Sequence, residues 1–230
     1  GMHLLFNPAG TLAFKRGYAL TASDSFTLTI TGKGGHGAKP HETNDVVLTA
    51  CKAVENLHQI VSRKINPQRM AILSVGSIGT ASNVLPETAT IRGTVRTLET
   101  DVQEQMIAGV RAAAQSACDF TGAEFNLDYR IMEPAVHNDD AVMAHITDVF
   151  RQMLGEDSVI ELTEPRCGSE DFSNYQRPGV QTGYFWLGGA YPGEAHPSTN
   201  HQPRYNWDER TMRTGVQAAC AAVCSYLIAD

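Results

Sequence analysis

Between residues 24 and 131 the hydrophobic period switches repeatedly between two and 3.6, and the order of those switches limits the folds open to this chain. DSFTLTIT (24–31) alternates apolar and polar side chains, as a half-buried strand does, because successive side chains point to opposite faces. VVLTACKAVENLHQIV (46–61) then carries apolar residues at helical spacing, with capping chemistry before it in Glu42, Thr43, Asn44 and Asp45. MAILSVGSI (70–78) and TATIRGTVRTL (88–98) return to strands, separated by the turn-rich ASNVLPE. VQEQMIAGVRAAAQSAC (102–118) is a second helix, with Thr100 or Asp101 as its cap, and AEFNLDYRI (123–131) a last strand. The resulting β-α-β-β-α-β order is ferredoxin-like.

The flanks are of another kind. Residues 141–154 read as a helix, 158–162 as a short strand, VQTGYFWL (180–187) as an apolar strand, and Asp208 opens a long amphipathic helix to the end. The expected class is therefore α/β and α+β: a ferredoxin-like module at 23–133, inserted into an α/β layer domain built from 1–22 and 134–230. A net charge of −7 argues against nucleic acid and anionic membrane as partners, since both require clustered Lys and Arg. The longest apolar stretch, 218–229, is shorter than the roughly 20 residues that cross a bilayer. Five cysteines without paired spacing, and no secretory signal, point to reduced thiols in a cytoplasmic protein. Of these, Cys220 and Cys224 are expected as small core residues of the last helix. Gly1 before Met2 reads as a remnant of proteolytic cleavage, which makes Met2 either a native start or the start of a deliberate fragment.

GKGGHGAKPH (32–41) contains the spacing G-x-G-x-x-G at Gly32, Gly34 and Gly37. A dinucleotide loop needs a helix that starts within the motif and an acidic residue at a second strand's tip. Pro40 delays the helix, and Glu55 falls inside it, so that reading fails on context. Two readings remain open: glycines that allow tight backbone geometry and present His36 to a ligand or a developing oxyanion, and a surface histidine in a loop. Arg96 and Asn83 lie on the same module; an Arg fork and an Asn amide suit a carboxylate, and a solvated strand residue is the alternative for Arg96. In EAHPSTNHQPRYNWDE (194–209), His196 and His201 sit on a loop between strand and helix, where imidazoles bind metal or move protons, or are incidental. GSEDF (168–172) places Glu170 beside Asp171, a carboxylate pair or a helix start. No G-x-S-x-G elbow is present, and Cys167 has no activating context.

Four segments taken together resemble the metal-dependent M20 peptidases, in particular their amidohydrolase branch: GKGGHGAKPH at 32–41, NVLPETATIRGTVRT at 83–97, GSEDFSNY at 168–175 and HQPRYNWDE at 201–209. The family's lid loop reads GKGGHAAMPH or similar. The resemblance implies that 23–133 is a lid and dimerisation domain. It implies that His36 reaches into the partner subunit's site to stabilise a tetrahedral intermediate, and that Asn83 and Arg96 hold the substrate carboxylate. It also implies that His3 and His201 are ligands to opposite metals of a dinuclear Zn, Mn, Ni or Co pair, with His196 and Glu170 near the site. The substrate would be an N-acyl or aryl-acyl amino acid, the assembly a homodimer. Family members carry a segment before the position of His3 that supplies the remaining ligands and the general base. The expectation is therefore a chain that binds no metal tightly and is inactive by itself. An M20 dipeptidase or deacetylase, a non-catalytic dimerisation or regulatory module, and a nucleotide-binding protein are the rival readings.

Overall fold

The structure, a computed structural model, describes residues 1–80, 84–193 and 200–228. In chain order the elements are β1 (Met2–Pro8), β2 (Leu12–Phe14), β3 (Gly17–Leu20), β4 (Ser23–Thr31), α1 (Val46–Lys64), β5 (Ala71–Thr80), β6 (Thr88–Thr97), α2 (Thr100–Thr121), β7 (Glu124–Glu133), β8 (Val136–Asn138), α3 (Asp140–Leu154), β9 (Val159–Glu161), β10 (Phe185–Ala190) and α4 (Thr211–Leu227). They divide into two compact units. Gly1–Leu20, Val136–Arg166 and Phe172–Asp230 form one, and Thr21–Ala135 with Cys167–Asp171 the other.

The second unit has the expected β-α-β-β-α-β order in an antiparallel sheet, β5-β6-β4-β7. Phe26, Leu28 and Ile30 alternate along β4 and are buried against α1 and α2. Each such fully buried side chain contributes about 2 kcal/mol of transfer free energy. Between them Ser25, Thr27 and Thr29 face the other side and stay half-buried, which is why the period of two was legible. Asp45 caps α1 by accepting from the Val47 and Leu48 amides, both at 3.0 Å. At α2 the expected caps do not serve. The helix starts at Thr100, and the Asp101 carboxylate accepts from Arg69 Nη2 at 2.5 Å, while Arg69 Nε also donates to Glu99 at 2.8 Å. Gly122, at φ +71°, closes the helix in the left-handed region.

Among the described residues of this unit one carboxylate is buried. Asp24 is 1% exposed and accepts from Tyr129 Oη at 2.8 Å and from Gln103 Nε2 at 2.9 and 3.0 Å. Burial raises its pKa, although these bonds and the Arg96 charge pull the other way. A raised folded-state pKa means that the native state holds this proton more tightly than the unfolded state. The group's contribution therefore favours folding at low pH and is lost as pH rises beyond the ordinary carboxylate range. Asp24→Asn is expected to remove that downward slope, measured as the wild-type minus variant difference in urea midpoint between pH 4 and 7.

The first unit is a mixed sheet, β1-β10-β2-β9, with β1 parallel to β10 and β2 parallel to β9. All six residues of β10 are buried, as befits a strand covered on both faces. One face packs Leu12, Phe14, Phe185 and Leu187 against α3 and the inner side of α4, and the other packs Leu5, Tyr184 and Trp186. β3 and β8 form a separate two-stranded ladder. The expected strand at 180–187 begins only at Phe185. The backbone before it is taken elsewhere: the Asp139 amide donates to the Thr182 carbonyl at 3.0 Å, and the Tyr184 amide to Asn138 Oδ1 at 2.7 Å. The last helix likewise starts at Thr211 rather than Asp208, whose carboxylate accepts from the Arg210 amide and guanidinium. Cys220 and Cys224 are exposed, not core: Thr211, Gly215 and Ala218 are the residues that α4 turns inward. Among the described residues no helix is long and apolar enough to cross a membrane.

Candidate functional site

The loop at 32–41 is built by backbone pairing. Gly35 and Leu85 exchange both amide–carbonyl bonds, at 3.1 and 3.0 Å, and the Gly32 amide donates to the Glu87 carbonyl at 2.9 Å. A side chain at Gly34 would put its Cβ 2.5 Å from the Leu85 carbonyl oxygen, and one at Gly32 would lie 2.6 Å from that of Asn44. Close approach, not a positive φ, is what these glycines supply. The amides of Gly32 and Gly35 are thus already bonded, and α1 begins at Val46, beyond the motif. A pyrophosphate would find the amides of Gly32 and Gly35 taken and no α-helix N-terminus within the motif, so the nucleotide reading fails on geometry too. Gly37 has no atom within 4 Å of where a Cβ would sit, consistent with Ala at that position in the family's lid loop.

His36 is exposed at the tip. The Lys39 amide donates to its carbonyl at 2.8 Å, and the Ala38 amide donates to its Nδ1 at 3.1 Å. Arg96, on β6 of the same unit, is half-buried and donates from Nη1 to Ser23 Oγ at 2.7 Å. Asn83 lies outside the described residues, as does His196.

In the first unit two residues nearly two hundred positions apart come together. His3 on β1 pairs in register with Trp186 of β10, and its ring lies 5.7 Å from that of His201, centroid to centroid, with planes 17° apart. His201 holds a left-handed backbone, φ +64°, unusual for a residue with a side chain. His3 Nδ1 is 2.8 Å from the Leu4 carbonyl oxygen, which can only accept. Asn200 Nδ2, a donor, also lies 3.2 Å from this nitrogen, but the carbonyl contact is the shorter; with the proton on Nδ1, Nε2 keeps a lone pair, the polarity of a metal-ligating imidazole held by a backbone carbonyl. Asn200 Nδ2 donates to the same carbonyl at 2.7 Å, while its Oδ1 is buried without a partner among the described residues. Asn200 was not singled out from the sequence; its place directly before His201 was the only signal it gave.

The donor set fits a divalent metal in kind but not in number. Two imidazoles stack, and the residue before His201 carries a buried amide oxygen with no partner among the described residues, yet among those residues no group of three or more His, Cys, Asp and Glu comes together. Catalytic zinc sites ordinarily keep three protein ligands. Glu170 is half-buried, and Asp171 opens a short 3-10 turn, Asp171–Tyr175.

The profile of Peptidase family M20/M25/M40 matches residues 9–225. The chain belongs to this family. YhaA of Bacillus subtilis, which bears an amidohydrolase name, is 33% identical over 229 residues, covering 98% of this chain and 57% of its own length. An N-acetyldiaminopimelate deacetylase of Anoxybacillus flavithermus is 32% identical over 216 residues, 91% of this chain and 54% of its own. A crystal structure from methicillin-resistant Staphylococcus aureus, described as an aminohydrolase, superposes with a TM-score of 0.87 at 27% identity, over 99% of this chain and 58% of that one. The fold is shared with Bacillus subtilis YXEP, described as a dinuclear metal binding peptidase, at a TM-score of 0.76 and 23% identity, over 99% of this chain and 56% of that one. This M20 chain thus spans somewhat more than half the length of the relatives it matches.

Proposed function

We propose that this M20 chain serves a dinuclear metal amidohydrolase that cleaves N-acyl or aryl-acyl amino acids. The observation that carries the proposal is the His3–His201 pair, stacked at 5.7 Å with the His3 Nε2 lone pair available. Each imidazole would be a ligand to one of two divalent ions, Zn, Mn, Ni or Co. Such ions supply Lewis-acid polarisation of a carbonyl and a nucleophile at neutral pH. His36 would donate to the oxygen that gains charge as the amide carbonyl is attacked, worth about 3 kcal/mol in the barrier for one such donor. Arg96 and Asn83 would hold the substrate carboxylate. A homodimer formed through the second unit would carry His36 to its partner; the outer half of β5, an edge strand, is exposed and suits strand addition. Removal of an acetyl group is the second reading, favoured by the name of the Anoxybacillus relative.

The test is Zn²⁺ titration calorimetry on the chain and on His3→Ala and His201→Ala, with light scattering for mass. Each substitution is expected to weaken the metal at least about tenfold, and the mass should be twice that of one chain. Equal affinity in all three proteins would sink the metal assignment. Hydrolysis of hippurate or N-acetyl amino acids with Mn²⁺ should stay at background, because the described donors stop at two imidazoles. Turnover that His201→Ala abolishes would overturn that last expectation and show that further ligands come from elsewhere in the chain.

A further inference from the structure

We infer that the Ala38 amide fixes the tautomer of His36, so that the loop presents a neutral Nε2–H donor to an oxygen acceptor. This rests on the amidohydrolase reading for its use, but not for its geometry. A backbone amide can only donate. Its 3.1 Å bond to His36 Nδ1 therefore requires a lone pair on that nitrogen, and in the neutral ring the proton must then be on Nε2. The backbone that sets the Ala38 amide under the ring is held from both sides. On one side the Gly35–Leu85 pair anchors the residue before it; on the other the Lys39-to-His36 bond at 2.8 Å closes the turn that brings the Ala38 amide under the ring.

His3 has the opposite polarity. There a carbonyl faces Nδ1 and leaves Nε2 as an acceptor. One chain thus sets two imidazoles in opposite senses through the backbone group nearest each Nδ1, one suited to a cation and one to an oxygen that gains negative charge. A neutral donor has a specific merit in the second role. It strengthens as charge develops on the acceptor, without the full ionic attraction that an imidazolium already exerts on anionic ligands in the ground state. In this scheme Ala38 is a positioning residue that acts through His36, and its side chain is immaterial.

The experiment is long-range ¹⁵N–¹H correlation of the histidine rings in the whole chain, at pH about 9 where ordinary imidazoles are neutral. The expected spectrum has a pyrrole-type Nε2 and a pyridine-type Nδ1 for His36, and the reverse for His3. A pyrrole-type Nδ1 at His36 overturns the inference outright. Ala38→Pro, which lacks the amide proton, should move the His36 Nδ1 resonance toward that of an unbonded imidazole, while Ala38→Gly, which keeps it, should leave the resonance in place. Equal resonances in the two variants would remove Ala38 from the account. Protection of the Lys39 amide from hydrogen exchange reports whether the turn survives the proline. Should it not survive, a scalar coupling between the Ala38 amide nitrogen and Nδ1 in the unaltered chain decides the point, its absence overturning the inference. None of these readouts depends on hydrolysis. A correct tautomer with no effect of His36→Ala on an active assembly would count against the functional reading alone.

Discussion

Gly188→Ala is expected to lower the stability of the first unit by about 3 kcal/mol or more, and to weaken Zn²⁺ binding with it. Gly188 is central in β10, opposite Leu5 of β1. Beyond Leu5 the register of β1 shifts before Pro8 pairs with Ala190, and this brings the Pro8 carbonyl against the α-carbon of Gly188. A Cβ there would overlap the Pro8 carbonyl oxygen and sit 2.5 Å from the Thr11 hydroxyl. Neither can retreat cheaply. The Gly188 amide donates to the Thr11 carbonyl at 2.8 Å, and Thr11 Oγ1 to the Pro8 carbonyl at 2.7 Å. Relief requires β1 to pull away from β10, and β1 carries His3. The neighbouring Gly189→Ala is the control: its nearest atoms would lie 3.3 to 3.5 Å off, so only a small change is expected. Urea denaturation of both variants, followed by metal titration, measures the pair of effects. Equal midpoints for the two would show that the sheet yields where it should not.

Asn138→Ala should cost about 4 kcal/mol, a large share of the 5–15 kcal/mol typical of a domain. Asn138 is fully buried in β8, where its amide satisfies three backbone groups. Nδ2 donates to the Lys15 carbonyl at 2.8 Å and to the Tyr184 carbonyl at 2.9 Å, and Oδ1 accepts from the Tyr184 amide at 2.7 Å. Alanine strands all three at once and leaves a cavity as well. Asn138→Asp keeps the acceptor but sets a carboxylate against two carbonyl oxygens, so it should be no better. A thermal midpoint for either variant within a degree or two of the parent would refute this account of β8.

The second unit was legible because its elements are long and local. β4, β6 and β7 run nine or ten residues with one face buried or half-buried against the core, so the alternation repeats enough to be seen. β2, β8 and β9 have three residues each, too few for any period, and nothing near them in sequence marks their partners. β1 answers to β10 at the other end of the chain. The same distance hides the site. Motif resemblance singles out His3 and His201 separately, but only the fold shows them stacked, and only the contact to Leu4 reveals which nitrogen of His3 is available. Cys220 and Cys224 misled for a related reason. In a helix whose only charge is Arg213, composition does not say which side faces in, and Gly215 and Ala218 win because the sheet beneath allows close approach.

The parallel pairing of β1 with β10 has a consequence for synthesis. Some 180 residues separate His3 from Trp186, which at roughly 5–20 residues per second is a wait of about 10–40 s on the ribosome. The intervening module can finish folding in that interval, and it shortens the problem. Its first and last strands lie side by side, Ser23 opposite Glu133, so its folding delivers Leu20 to within reach of Val136. A loop of more than a hundred residues thereby closes like one of a few, an entropic relief of about 3 kcal/mol. Through all of this β1 stays without its strand partner, and MHLLFNP is the stretch a nascent-chain chaperone would most need to hold.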